Sequence, residues 1–217
     1  MKKIIIAIAL LSSITVFAQK KITEGKIIAT QTMSTDNEEM QKQFAAMGSV
    51  ESVAHFKGEN SRTVIENPTT GKVATVINAD TNEMLMVMDN PMLGKMYMLK
   101  KNLVEAKDMK NIKVTKGTET KTVLGYTCQQ YFVENTKNGT TVKMEIFTTE
   151  EIPIISPQTL EYGDKIKGFP LYLVIEMNQM GIDMKIATEV TEIKEEKVSE
   201  SLFSTVPPEG YKNMEDQ

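Results

Sequence analysis

Most residues that build reactive sites are scarce in this chain. It has no tryptophan, one cysteine (Cys128), one histidine (His55) and one arginine (Arg62) among 217 residues. A single cysteine excludes an intrachain disulfide. A lone Cys and a lone His, 73 positions apart in the sequence, carry no dyad motif, and Cys128 reads most simply as a small buried hydrophobe. With only Arg62, no bidentate phosphate-binding cluster can be built. GxSxG, HExxH, CxxC and glycine-rich phosphate loops are all absent, so the chain is expected to be no enzyme and to need no cofactor or resident metal. Beyond residue 18 no apolar run approaches the ~20 residues of a membrane-spanning helix. Acidic residues outnumber basic ones, 29 to 25, which argues against nucleic acid and against anionic membrane surfaces as partners.

What is present begins with the leader. Lys2 and Lys3 precede an apolar stretch from Ile4 to Leu11, and Val16 and Ala18 stand at −3 and −1 of a cut after Ala18. This is the pattern of a secretory signal peptide. The expectation is export to the periplasm or beyond, with residues 1–18 removed and residues 19–217 forming one domain without a transmembrane anchor. No cysteine sits at the cut to take a lipid. Removing two lysines and no acid leaves 23 basic and 29 acidic residues, a net charge of −6.

Period-two alternation then dominates. Runs rich in Val, Ile, Thr, Tyr and Met at 21–30, 50–56, 62–66, 72–78, 83–89, 95–100, 112–116, 125–134, 141–148, 171–177 and 182–193 read as strands. Tight turns such as Lys57-Gly58-Glu59-Asn60, Ala79-Asp80-Thr81-Asn82 and Asn138-Gly139 separate them. Strands about every ten residues predict a mainly β, antiparallel meander, barrel or sandwich. Thr35-Asp36-Asn37-Glu38 reads as a capping box opening an amphipathic helix, with Met40, Phe44 and Met47 on one face and Gly48 as its stop. Residues 157–168 read as a short helix or ordered loop. Residues 199–203 read as a helical turn before Pro207-Pro208.

The C-terminal Leu202-Phe203-Ser204-Thr205-Val206-Pro207-Pro208-Glu209-Gly210-Tyr211 resembles the closing segment of the periplasmic outer-membrane lipoprotein carrier superfamily, and the hairpins over 62–89 match its meander in length and turn placement. Lys121-Thr122-Val123-Leu124-Gly125-Tyr126-Thr127-Cys128-Gln129-Gln130-Tyr131 is similar to a segment of an uncharacterised family of secreted bacterial domains of unknown function. The resemblance implies an open half-barrel, with one helix and short C-terminal helical turns over its mouth, cupping an apolar ligand. Departures are plain. The carriers begin with a helix and line their cavity with aromatics. They also latch a helical lid with a strand-borne arginine, and Arg62 is out of register with that position.

Methionine is the compositional anomaly, 15 of the 16 lying beyond the leader. Met84, Met86 and Met88 alternate in one strand and Met96 and Met98 in the next, so each set shares a face. These five, with Met144, Ile182 and Met184, are the candidate lining of a deformable apolar site for a lipid or other apolar small molecule. Met40, Phe44 and Met47 are its candidate lid. Two other readings remain open: an envelope protein-interaction module whose half-barrel is filled by its own side chains, and Cu(I) binding by clustered thioethers. Glu176, inside an apolar strand, is expected to face away from Leu173, Ile175 and Met177.

Overall fold

The computed structural model describes residues 21–67, 71–103, 111–137, 140–179 and 181–216. The leader and its cleavage site, the Asn138-Gly139 turn and Met180 lie outside the described residues. Every expected strand is present: β1 (Glu24–Thr35), β2 (Val50–Lys57), β3 (Asn60–Asn67), β4 (Gly71–Asn78), β5 (Glu83–Asn90), β6 (Gly94–Lys101), β7 (Ile112–Val123), β8 (Tyr126–Lys137), β9 (Thr140–Thr149), β10 (Phe169–Gln179) and β11 (Ile182–Glu195). A twelfth, β12 (Lys212–Asn213), is too short to carry a periodic signal in the sequence. One helix, α1 (Glu38–Met47), follows β1.

All the strands form one open, mainly antiparallel sheet in the order β12-β6-β5-β4-β3-β2-β1-β11-β10-β9-β8-β7. Two meanders, β2–β6 and β7–β11, meet at β1, which pairs with β2 on one side and β11 on the other. Ten inter-strand spacings separate β6 from β7, about 48 Å in a flat sheet. The chain between Lys101 and Ile112 can span only about 40 Å when fully extended. The sheet must therefore curl, and bulges assist it between Ile28 and Ala29 and between Pro170 and Tyr172.

Strand alternation divides the sheet into two faces. The inner face carries Ile27, Ala29 and Ala54 on β1 and β2, where Ile152 and Ile154 pack. Further along, the same face carries Tyr131, Val133, Met144, Ile146 and Leu173, covered by Tyr162 and Ile166. Residues 152–166, including the 3-10 turn Leu160–Lys165, thus lie across the inside of the half-barrel. Outside, Val76 and Leu85 pack on Val198 and Phe203, with Val87, Tyr97, Leu99 and Leu202 around them. The expected C-terminal turn exists at Glu200–Phe203, but it covers the outer face of β3–β5, not the mouth. The apolar residues at alternate positions from Val76 through Leu99 need burial of their own. Asn78 Nδ2 donates to the Phe203 carbonyl (3.0 Å), and Lys57 Nζ meets Glu200 Oε1 (2.8 Å), fixing this strap.

Helix α1 starts two residues later than the capping box predicts. Thr35 remains in β1, and Asn37 is the N-cap, its Oδ1 accepting from the Met40 N–H at 3.0 Å. Thr35 instead donates its backbone N–H to Gln41 Oε1. Strand pairing with Met184 claims Thr35 before it can cap. Gly48, at φ 68°, stops the helix as expected.

Candidate binding cavity on the inner face

A cavity of about 350 Å³ opens between the inner face and the segment around Ile154–Pro157. Its walls come from β1–β5 on one side and β10 and β11 on the other, reaching from Met86 to Leu173. Six inter-strand spacings separate β5 from β10 in the sheet, so only the curl brings these walls to one space. No charged side chain lines it; Ile27, Ala54, Leu171 and Ile154 typify its surface.

Small side chains make the void. Across neighbouring strands the inner row runs Ala54, Thr63, Thr75, Met86, Met98, each directly opposite the next. The main cavity opens where the row holds Ala and Thr and reaches as far as Met86, while Met98 lines the next space. One row over, Ser61 sits between Phe56 and Ile77. All three are essentially fully buried. Ser61 Oγ has no hydrogen-bond partner among the described residues, a condition that costs a buried hydroxyl about 1–3 kcal/mol.

The sequence-selected residues do share one face of the sheet but not one site. Met86 alone lines the main cavity. Met84 and Met98 line an adjoining space of about 400 Å³ beneath Pro157, Leu160 and Leu103. Met88 and Met96 pair beyond both, and Met96 is buried. Met144 is locked in the second core cluster, where the Tyr162 hydroxyl donates to its Sδ at 3.2 Å. Met184, with Met177, borders a separate polar cleft shared with Lys143, Glu176 and Asp183. Ile182 lies at the β10–β11 hairpin end, opposite Gln179. Helix α1 buries no residue, Met47 is 49% exposed, and neither Met40, Phe44 nor Met47 lines either cavity. The segment that covers the inner face is 152–166.

Alternation alone could have found Ala29, Ala54, Ser61, Thr63 and Thr75. They are the small inward members of their strands, and small inward residues leave room.

Burial pushes the Cys128 thiol up to about 11, with partial relief from the Val123 backbone and Lys121. Burial is also the main cause of the raised Tyr162 and Tyr126 phenols. Tyr126 joins Cys128 in the core, while Tyr131 belongs to the second cluster. His55 Nε2 stands 4.0 Å from Glu196 Oε1. Arg62 pairs with His55 and with Val76 of the outer face, so it points away from the cavity. Glu176 faces outward as expected and meets Lys185 Nζ at 3.5 Å. Among the described residues no cluster of three His, Cys, Asp or Glu side chains could hold a metal, and no helix is long and apolar enough to cross a membrane.

No family model matches this chain, and no curated protein matches it. It is similar to a solved structure of PNGF-II in a C2 space group, at 15% identity and a TM-score of 0.47, over 87% of this chain. A second PNGF-II structure gives 18% identity and 0.45 over 82%. This chain spans 30% of the length of each. A complex of MucB with MucA(peri) overlaps at 9% identity and a TM-score of 0.13, covering 81% of this chain and 95% of that one. At such overlap these likenesses carry no conclusion about this chain.

Proposed function

We propose that this is an exported binding protein that holds an apolar ligand, a lipid or acyl chain, inside its half-barrel. The cavity of about 350 Å³ carries the reading. It has the size of small-molecule sites, is walled by apolar and small side chains, and is roofed by a segment of the same chain. Removing apolar surface from water there supplies about 25 cal/mol per Å² and requires no covalent step. Export rests on the leader pattern of residues 1–18. The resemblance to the lipoprotein carriers points the same way.

Filling the void tests this. Ala54→Leu places a branched side chain in the space between Ile27 and Thr63. Native mass spectrometry of protein purified from its own compartment should show a co-purifying acyl-chain mass on the wild type and none on Ala54→Leu, with thermal unfolding unchanged or raised. A clean apo mass on both, together with no uptake of added lipid, would mean a barrel filled by its own side chains.

A further inference from the structure

The cavity is apolar but not uniformly so. Ser52, Ser61, Thr63, Thr75 and Thr188 all line it, and Thr63 and Thr75 stand directly opposite each other on β3 and β4. Ser61 is the decisive member. It is 1% exposed, forms part of the cavity wall, and its Oγ finds no partner among the described residues. Buried hydroxyls are almost always satisfied, and an exception points to strain, an ordered water or a bound group. Ser61 cannot turn to a charged neighbour, since the wall contains none.

We infer that the ligand of this cavity is a neutral amphiphile, whose hydroxyl, ester or amide group hydrogen-bonds Ser61 Oγ while its hydrocarbon lies along Ala54, Ile27 and Leu171. The inference rests on the reading of the cavity as a ligand site. Neutrality follows from the wall: an ionised head group taken in without a counter-charge loses its hydration and gains no partner. A serine hydroxyl both donates and accepts, so it serves an alcohol and a carbonyl equally. A plain hydrocarbon would leave Ser61 as unpaired as before.

The experiment uses the chain from residue 19 and its S61A variant, which removes one oxygen and no carbon, with displacement of the fluorescent probe N-phenyl-1-naphthylamine as readout. The competitors are 1-dodecanol, dodecanoate and dodecane. On the wild type, 1-dodecanol should compete roughly tenfold better than dodecane, the size of one hydrogen bond to a buried group. Dodecanoate at neutral pH should compete worst. In S61A the advantage of 1-dodecanol should vanish while dodecane competes as before, and thermal unfolding should show S61A at least as stable as wild type. Equal competition by 1-dodecanol and dodecane on the wild type, or a preference that survives in S61A, overturns the inference and leaves the ligand-binding reading standing. If the probe binds but no competitor displaces it, or nothing binds at all, the ligand-binding reading falls and this inference falls with it.

Discussion

The hydroxyl of Tyr162 donates to the sulfur of Met144 across 3.2 Å, in a space where both residues are less than one-tenth exposed. The contact ties the 3-10 turn over the inner face to β9, so the roof of the half-barrel is pinned at one point by a polar bond inside an apolar cluster. Tyr162→Phe keeps the ring and removes the bond. It should lower the unfolding free energy by about 0.5–1.5 kcal/mol, read by urea denaturation. Amide exchange should quicken in residues 152–166 more than in β9.

Met86 and Phe44 were both legible as site candidates, and the structure separates them. Met86→Asp puts a carboxylate into a wall with no counter-charge and should weaken lipid uptake at least roughly tenfold. Phe44→Ala, on a helix that lines neither cavity, should leave uptake unchanged. Titration of both variants with the same lipid checks the pair. Loss of uptake in Phe44→Ala would restore α1 as the lid.

Cys128 is fully buried, and its thiol ionises near 11. In the unfolded chain it ionises near its ordinary value, about 8.5. Between these values the native state holds a proton that the unfolded state has lost, so stability falls as pH rises through that window. The loss begins above the unfolded value and is complete above the folded one. Cys128→Ala should flatten that part of the stability profile. A thiol reagent at neutral pH should label the native protein far more slowly than the unfolded one.

Leu124 and Gly125 form the two-residue turn between β7 and β8, at φ 50° and 86°. Glycine suits that region; leucine is strained there, and it is half exposed, with no burial to offset the strain. Leu124→Asn creates the Asn-Gly pair such turns prefer and should raise stability by about 1 kcal/mol, measured as an upward shift in the unfolding midpoint.

The sheet was readable because each strand writes its pairing face in alternation, and turn residues mark where strands end. Thr35 shows where local pattern loses: a complete capping signature yielded to a strand pairing with Met184, 149 positions away. The cavity was half readable. Large, polarizable side chains drew attention to the methionine strands, and they do share the inner face. But the main void lies where Ala54, Thr63 and Thr75 leave room, and of the selected methionines only Met86 reaches it. The β1–β11 pairing that brings those walls together, and the roof that makes Ser61 a buried hydroxyl, are long-range facts with no local signature.

An unclosed sheet keeps two borders, and each could recruit a strand from a neighbouring molecule. On one border β12 docks parallel onto Met96 and Tyr97 and splits the free ladder of β6 into residues 94–95 and 98–101. On the other, the pairing of β7 with β8 breaks between Lys116 and Thr120. There Gln130 Oε1 accepts from the Glu119 N–H at 3.3 Å, and a Cβ on Gly117 would stand 2.2 Å from that same oxygen. Neither border offers a long, straight template, so the sheet can stay unclosed without becoming a seed for fibrils.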